Sequence, residues 1–172
     1  RVLIIQDVYA AKNQIQPFKR EVHQLSQVKN VSLSGYLPTP SNRSDSSFFE
    51  EGKTKQEYAL QMQLWWVDYD YVKTLGLNIV AGIDFDKQVD TDSLSVIINE
   101  SVVAILGVKP KEAIGKRISH DLGSKNPKYL TVIGVVKNFH FRSLRENIGA
   151  LSLSIGNNSN SMIVKLNAGD FS

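Results

Sequence analysis

The 172-residue sequence contains no cysteine. Disulfides, thiolate metal sites and cysteine nucleophiles are excluded together. No apolar run approaches the roughly 18 residues that cross a bilayer as a helix, and no signal-peptide pattern opens the chain. Charge of one sign is not concentrated: 20 Lys and Arg stand against 17 Asp and Glu, a net +3, with the signs interspersed. A nucleic-acid surface needs a basic face, and none is present. The 11 glycines build neither a GxxxxGK[ST] phosphate loop nor a GxGxxG dinucleotide turn. What is there is the balance of a folded domain, 42% apolar and 22% charged, with length for one domain or two small subdomains sharing a core. The chain opens on Arg1-Val2-Leu3-Ile4-Ile5 and closes on Gly169-Asp170-Phe171-Ser172, where Asp170 or Ser172 would cap a helix that does not follow. Both ends read as cuts in a longer protein.

The apolar pattern predicts an alternation of strands and helices. Val2–Ile5 reads as a buried strand. Ile15, Phe18, Val22, Leu25 and Val28 form a helical stripe, with Pro17 in the first turn. Val31 and Leu33 alternate with Ser32 and Ser34 as a second strand, so the first 36 residues make a βαβ-like unit or a ferredoxin-like half. Pro38 to Ser47 reads as a surface loop. A long strand follows, with Tyr58, Leu60, Met62, Leu64 and Trp66 on one face and Gln61, Gln63 and Trp65 on the other. Asp68 is placed to cap a short helix that Gly76 ends, and Leu77–Val80 returns as a strand. Val96–Ile98 is a buried strand, and Asn99 caps a helix over Glu100–Leu106 that Gly107 stops. Pro110 opens a further helical turn, and Tyr129–Val136 is a strand. Leu151–Ile155 and Met162–Leu166 read as the arms of a hairpin.

Few residues offer chemistry. The three histidines, His23, His120 and His140, are far apart and lack metal-ligand spacing. His140, between Phe139 and Phe141, is the strongest candidate for a working imidazole. Ser119-His120-Asp121 is a triplet of neighbours, whereas a triad is assembled by the fold around an oriented base. Asp84, Asp86, Asp90 and Asp92 offer carboxylates for a hard cation, but the spacing and the missing central glycine are not those of an EF-hand loop, so the reading is a solvated turn. Trp65 and Trp66 point to opposite faces of one strand, which assigns one to the core and leaves the other for a contact. Trp65, His140 and Phe141 are taken as an interaction surface. No catalytic, cofactor or metal site is assigned, so interaction or force transmission is the expected class rather than enzymatic work.

Three segments, in series, resemble the periplasmic core domain of MacB/FtsX-type ABC transporter permeases, as it occurs in Bacteroidetes-like bacteria. They are Val67–Leu77 followed by Ala81-Gly82-Ile83-Asp84-Phe85; Val96-Ile97-Ile98-Asn99-Glu100-Ser101 with Leu106-Gly107 and Ile114-Gly115-Lys116; and Thr131–Phe141 with Ser143-Leu144. Ile83 stands where that family usually carries arginine, and Asn138 where it often carries aspartate. The resemblance implies an α+β fold of two lobes: a porter-like α/β sandwich from 1–64 and 145–172, and an inserted, mixed, sabre-like lobe over 65–144. It implies a periplasmic (extracytoplasmic) domain of an inner-membrane protein that relays ATP-driven change to move a substrate. The implied partners are the protein's own transmembrane helices, a second permease copy, a cytoplasmic ATPase and, in some systems, a periplasmic adaptor or outer-membrane channel; no nucleic acid and no cofactor are implied. The rival expectation is an extracytoplasmic ligand-sensing domain of a membrane receptor, which needs a concave apolar pocket.

Overall fold

A computed structural model describes residues 1–37, 45–89, 94–139, 149–157 and 160–168. In chain order these form β1 (Val2–Gln6), α1 (Ile15–Gln24), β2 (Val28–Ser34), β3 (Ser46–Glu50), β4 (Leu60–Val67), α2 (Tyr71–Leu75), β5 (Ile79–Gly82), β6 (Ser95–Asn99), α3 (Glu100–Leu106), α4 (Pro110–Ala113), β7 (Arg117–Ser119), β8 (Leu130–Val136), β9 (Leu151–Ile155) and β10 (Ser161–Leu166). Many strands and few, short helices make this an α+β fold. The described residues within 1–37, 66–77 and 156–168 form one compact unit, and those within 45–65 and 78–155 form the other.

In the first unit β10 lies between β1 and β2 and runs antiparallel to both. The stretch β1-α1-β2 is therefore a βαβ unit split by a third strand, the ferredoxin-like version of the expected half. Val8, Val31, Leu33, Met162 and Val164 form its core, with Ile15 and Val22 of α1 packed on them. The helical stripe is two positions shorter than its period suggested. Leu25 adopts extended backbone (ψ 133), the Val28 N–H donates to the Leu25 carbonyl at 2.9 Å, and Val28 begins β2. Ser32 and Ser34, which alternate with Val31 and Leu33 along β2, are buried as well. Both hydroxyls are spent on hydrogen bonds, Ser32 to Asp68 and Ser34 to the Tyr36 carbonyl, which removes the cost of burying them. β1 is a strand as predicted, but every residue in it is exposed, because β10 is its neighbour on one side and α1 does not reach over it.

The second unit is built on the circuit β4-β3-β7-β8-β6-β9, which a pairing between β4 and β9 closes. Closure leaves no open edge in that ring. β6 and β8 are parallel, and the β3–β4, β3–β7, β7–β8 and β6–β9 pairings are antiparallel. β5 flanks the last residues of β8. Phe48, Met62, Val96, Ile98, Ile118 and Val132 fill the core, with Val102 and Val103 of α3 among them. All five residues of β6 are buried, as a strand covered on both faces requires.

Two sequence expectations fail here for a tertiary reason. Ser46 and Ser47, assigned to a loop, are the first residues of β3 and pair with Met62 and Gln61; 38–44 of that loop lie outside the described residues. The hairpin is absent: β9 pairs with β6 and β4, and β10 with β1 and β2. Consecutive strands joined by a short polar link look like a hairpin in sequence, yet these two belong to different units. Gly156 starts the separation. A Cβ there would lie 2.5 Å from the Trp66 ring, and its N–H is held by the Val67 carbonyl at 3.1 Å.

Candidate functional site

Because β6 and β8 are parallel, their carboxyl ends emerge together, the place where α/β chains commonly gather polar groups. Here the chain delivers Asn99, Glu100 and Ser101 from the β6–α3 turn and Asn138 from just beyond β8. Asn99 is fully buried. Its Oδ1 accepts from Val102 N at 3.3 Å, capping α3, and from Leu151 N at 3.1 Å. Its Nδ2 donates to the Gly149 carbonyl at 2.8 Å. One side chain thus ties together β6, α3 and the entry to β9. Asn138 Oδ1 accepts from the Ser101 N–H (3.1 Å) and hydroxyl (3.2 Å), and the Asn138 N–H donates to Glu100 Oε2 at 2.9 Å. Gly107 ends α3 in the left-handed region. Charge and dipoles here are used to join chain segments.

Asn99→Ala removes a cap and leaves the Leu151 N–H and the Gly149 carbonyl without their partner. The expected loss is about 2–4 kcal/mol, read as a lower urea midpoint with an unchanged slope.

A second polar centre lies in the first unit. Lys19 of α1 reaches Asp68 Oδ2 at 2.7 Å and also binds Asp70 Oδ2. Asp68, expected as the cap of α2, sits two residues ahead of the cap position and accepts from Asp70 N at 3.1 Å. It also accepts from Ser32 Oγ (2.7 Å) and Leu33 N (2.8 Å). Burial works against the Lys19 ammonium, but Asp68 first and then Asp70 outweigh it and hold its pKa above the ordinary value. Sequence reasoning missed Lys19. Its signal was the i,i+4 step from Ile15, which sets a charge beside the apolar stripe.

The other singled-out residues are dispersed. Trp65 was expected on a surface; it is fully buried, and its indole N–H donates to Gln63 Oε1 at 2.9 Å. Gln63 is buried too, so both faces of this strand are covered, and a partner cannot reach Trp65 in this structure. Trp66 is the half-buried member of the pair. His140 and Phe141 lie outside the described residues, as do Asp90 and Asp92. Asp84 and Asp86 accept from backbone N–H groups of Phe85 and Gln88, at 2.8 and 2.9 Å, and among the described residues no cluster of three or more His, Asp or Glu could hold a metal ion. His23 is exposed at the end of α1. His120 stacks, tilted, on Phe48 at 5.2 Å between centroids. Ser119 Oγ donates directly to Asp121 Oδ1 at 2.6 Å, a bond that holds the Asp121 carboxyl below its ordinary range; no imidazole stands between them. Ile83 is 64% exposed.

An open groove of about 230 Å³ in the second unit is lined by Glu50, Lys53, Glu57, Tyr58, Leu60 and Ile105. Glu50 is already paired with Lys116 at 2.6 Å and Lys53 at 2.7 Å, which hold its carboxyl below the usual range. The groove is open and edged by charge.

No family model and no curated protein sequence matches the chain. Solved structures match nearly all of it. The periplasmic region of MacB from Actinobacillus actinomycetemcomitans aligns over 99% of this chain and 76% of its own length, at TM-score 0.61 and 16% identity. This chain shares the fold of that MacB region. A domain of a putative permease protein from Porphyromonas gingivalis aligns over 90% of the chain and 67% of its own length (TM-score 0.60, 17% identity). The extracellular domain of the noncanonic ABC-type transporter YknZ from Gram-positive bacteria aligns over 90% and 74% (TM-score 0.57, 14% identity). In this MacB-type fold the segments that carried the sequence resemblance meet through their backbones: Gly82 of the first pairs with Gly134 of the third, and the second supplies β6, parallel to β8.

Proposed function

We propose that this chain is the extracytoplasmic domain of an ABC transporter permease, held at an inner membrane by helices outside this segment, and that it carries no catalysis of its own. It relays ATP-driven movement of the membrane helices to a substrate or partner outside the cytoplasm. The observation that carries the reading is the MacB alignment over 99% of the chain. The interior supports it: the polar residues Asn99, Ser101 and Asn138 act as joints between chain segments, which suits a body that transmits force. In this reading the porter-like and sabre-like lobes correspond to material from both chain ends and from the middle. The domain works as a pair in a dimeric permease with a cytoplasmic ATPase, with an adaptor or outer-membrane channel as a further partner.

The intact permease tests this. Because the chain has no cysteine, Ile105→Cys at an exposed position (55%) gives a single spin-label site in this domain. In lipid nanodiscs with the ATPase encoded beside it, the distance between labels on the two copies should shift when ATP is bound. An unchanged distance overturns the relay. A reading frame that places a kinase or cyclase module after this segment makes the domain a sensor.

A further inference from the structure

The open groove of the second unit has an apolar floor and an exposed apolar rim. Leu60 and Leu106 line it and pack with the core that Phe48 and Met62 fill. Tyr58 and Ile105 line it too, yet they are 48% and 55% exposed. A single exposed apolar side chain is ordinary on a protein surface. An aromatic and a branched aliphatic side chain at one depression form the kind of patch that a partner buries.

The walls are fixed before anything binds. Tyr58 closes a short helical turn over Gln56–Tyr58. The Tyr58 N–H donates to the Lys55 carbonyl at 2.9 Å, and the Ala59 N–H to the Gln56 carbonyl at 3.1 Å. After β3, the Lys53 N–H donates to the Glu50 carbonyl at 2.9 Å, and the Glu51 N–H to the Arg117 carbonyl at 2.8 Å. Ile105 and Leu106 end α3, which Gly107 stops. A surface held this way needs little ordering on binding.

Charge and size say what would fit. Glu50 and Lys53 are committed to each other, and Lys116 also holds Glu50. Glu57 makes no ion pair among the described residues. Its carboxylate is therefore the lining charge with acceptors to offer a cation. The volume of about 230 Å³ lies below the roughly 300–1,000 Å³ of pockets that enclose a small molecule. An open groove of this size suits one or two side chains of a polypeptide that continues past it.

We propose that this groove docks a segment of a partner polypeptide. The segment places an aliphatic or aromatic side chain against Tyr58 and Ile105, and a neighbouring lysine or arginine reaches Glu57. The apolar side chain supplies the burial, and the ion pair at the rim selects which segments are accepted. The site stands on the second unit alone and holds whether or not the domain relays ATP-driven movement.

The probe is a phage-displayed library of random peptides, panned on the intact permease in lipid nanodiscs after depletion on empty nanodiscs. Enriched sequences should carry an aliphatic or aromatic residue close to a lysine or arginine. A synthetic peptide of the enriched sequence should bind the wild type at least about tenfold more tightly than Ile105→Asp. It should bind about 2- to 5-fold more tightly than Glu57→Gln, and that second difference should shrink in high salt. Glu57 and Ile105 are both exposed, so each variant should melt within about 2 °C of the wild type. Peptides indifferent to both substitutions, or no enrichment over empty nanodiscs, overturn the proposal. Acidic peptides that bind Glu57→Gln more tightly than the wild type overturn it as well, because the partner would then be an anion drawn to Lys53.

Discussion

Gly82→Ala will unfold this domain or bring it to the margin, while Gly76→Ala will cost about 1 kcal/mol. Both glycines have positive φ, 74 and 67, so both substitutions carry backbone strain. They differ in space. A Cβ at Gly76 meets nothing within 4 Å; at Gly82 it would lie 2.0 Å from the Ile133 carbonyl oxygen and 2.7 Å from Ile114 Cδ1. The facing position is equally closed, since a Cβ at Gly134 would lie 2.4 Å from the Ile83 carbonyl oxygen. Gly82 and Gly134 are register partners in the β5–β8 ladder, and the Ile83 N–H donates to the Ile133 carbonyl at 2.9 Å. A methyl group there must push two backbones apart at the edge of the second unit's core. Such a clash belongs to the small class of substitutions that cost more than about 4 kcal/mol. Urea unfolding of the two variants side by side decides it; equal losses would show that strain, and not close approach, is what these glycines relieve.

Lys19→Met is the second large effect. The substitution keeps the stem and removes the charge, leaving Asp68 and Asp70 without their cation. The Lys19 and Asp68 side chains are 12% and 19% exposed, so solvent screens the carboxylates only in part. The expected loss is about 2–3 kcal/mol, below the 3–5 of a fully buried pair. Asp68→Ala should cost more, because Ser32, Leu33 N and Lys19 all lose an acceptor at once. The pH dependence carries its own sign. The folded-state pKa of Lys19 is raised, with burial opposing and Asp68 and Asp70 prevailing. Its contribution is therefore complete below the ordinary lysine value and is lost as pH rises through the raised one. The stability gap between the wild type and Lys19→Met should be constant at neutral pH and narrow only in strongly alkaline solution. A gap that narrows between pH 7 and 9 would mean the ammonium is not what Asp68 holds.

Local chemistry was legible wherever one residue type has one good use. Asn99 before Glu100-Ser101-Val102 is a cap by composition, and it is a cap in the structure. Gly76 and Gly107 stop helices because only glycine enters the left-handed region freely, and both do. Val96-Ile97-Ile98, with no polar alternation, had to be covered on both faces, and it is. The three segments that resemble MacB-type permeases led to the fold that the solved structures share. The candidate site was half legible. Asn99 and Asn138 were singled out for a cap and for a departure from the family pattern, but nothing in sequence showed that they meet through Glu100 and Ser101. Trp65 was misplaced because alternation tells which residues share a face, not whether that face is open.

By itself, then, the sequence determined the fold class, the position of most strands and helices, and the helix stops. These depend on φ preferences, on capping groups and on apolar spacing, all of which act within a few residues. Only the tertiary structure decided that β10 splits β1 from β2, that β9 leaves its sequence neighbour for β6 and β4, that Ser32 and Ser34 are interior, and that β1 is bare. Those outcomes depend on which surfaces close over which, a competition among pairings distant in sequence whose energies differ by contacts that no local pattern records.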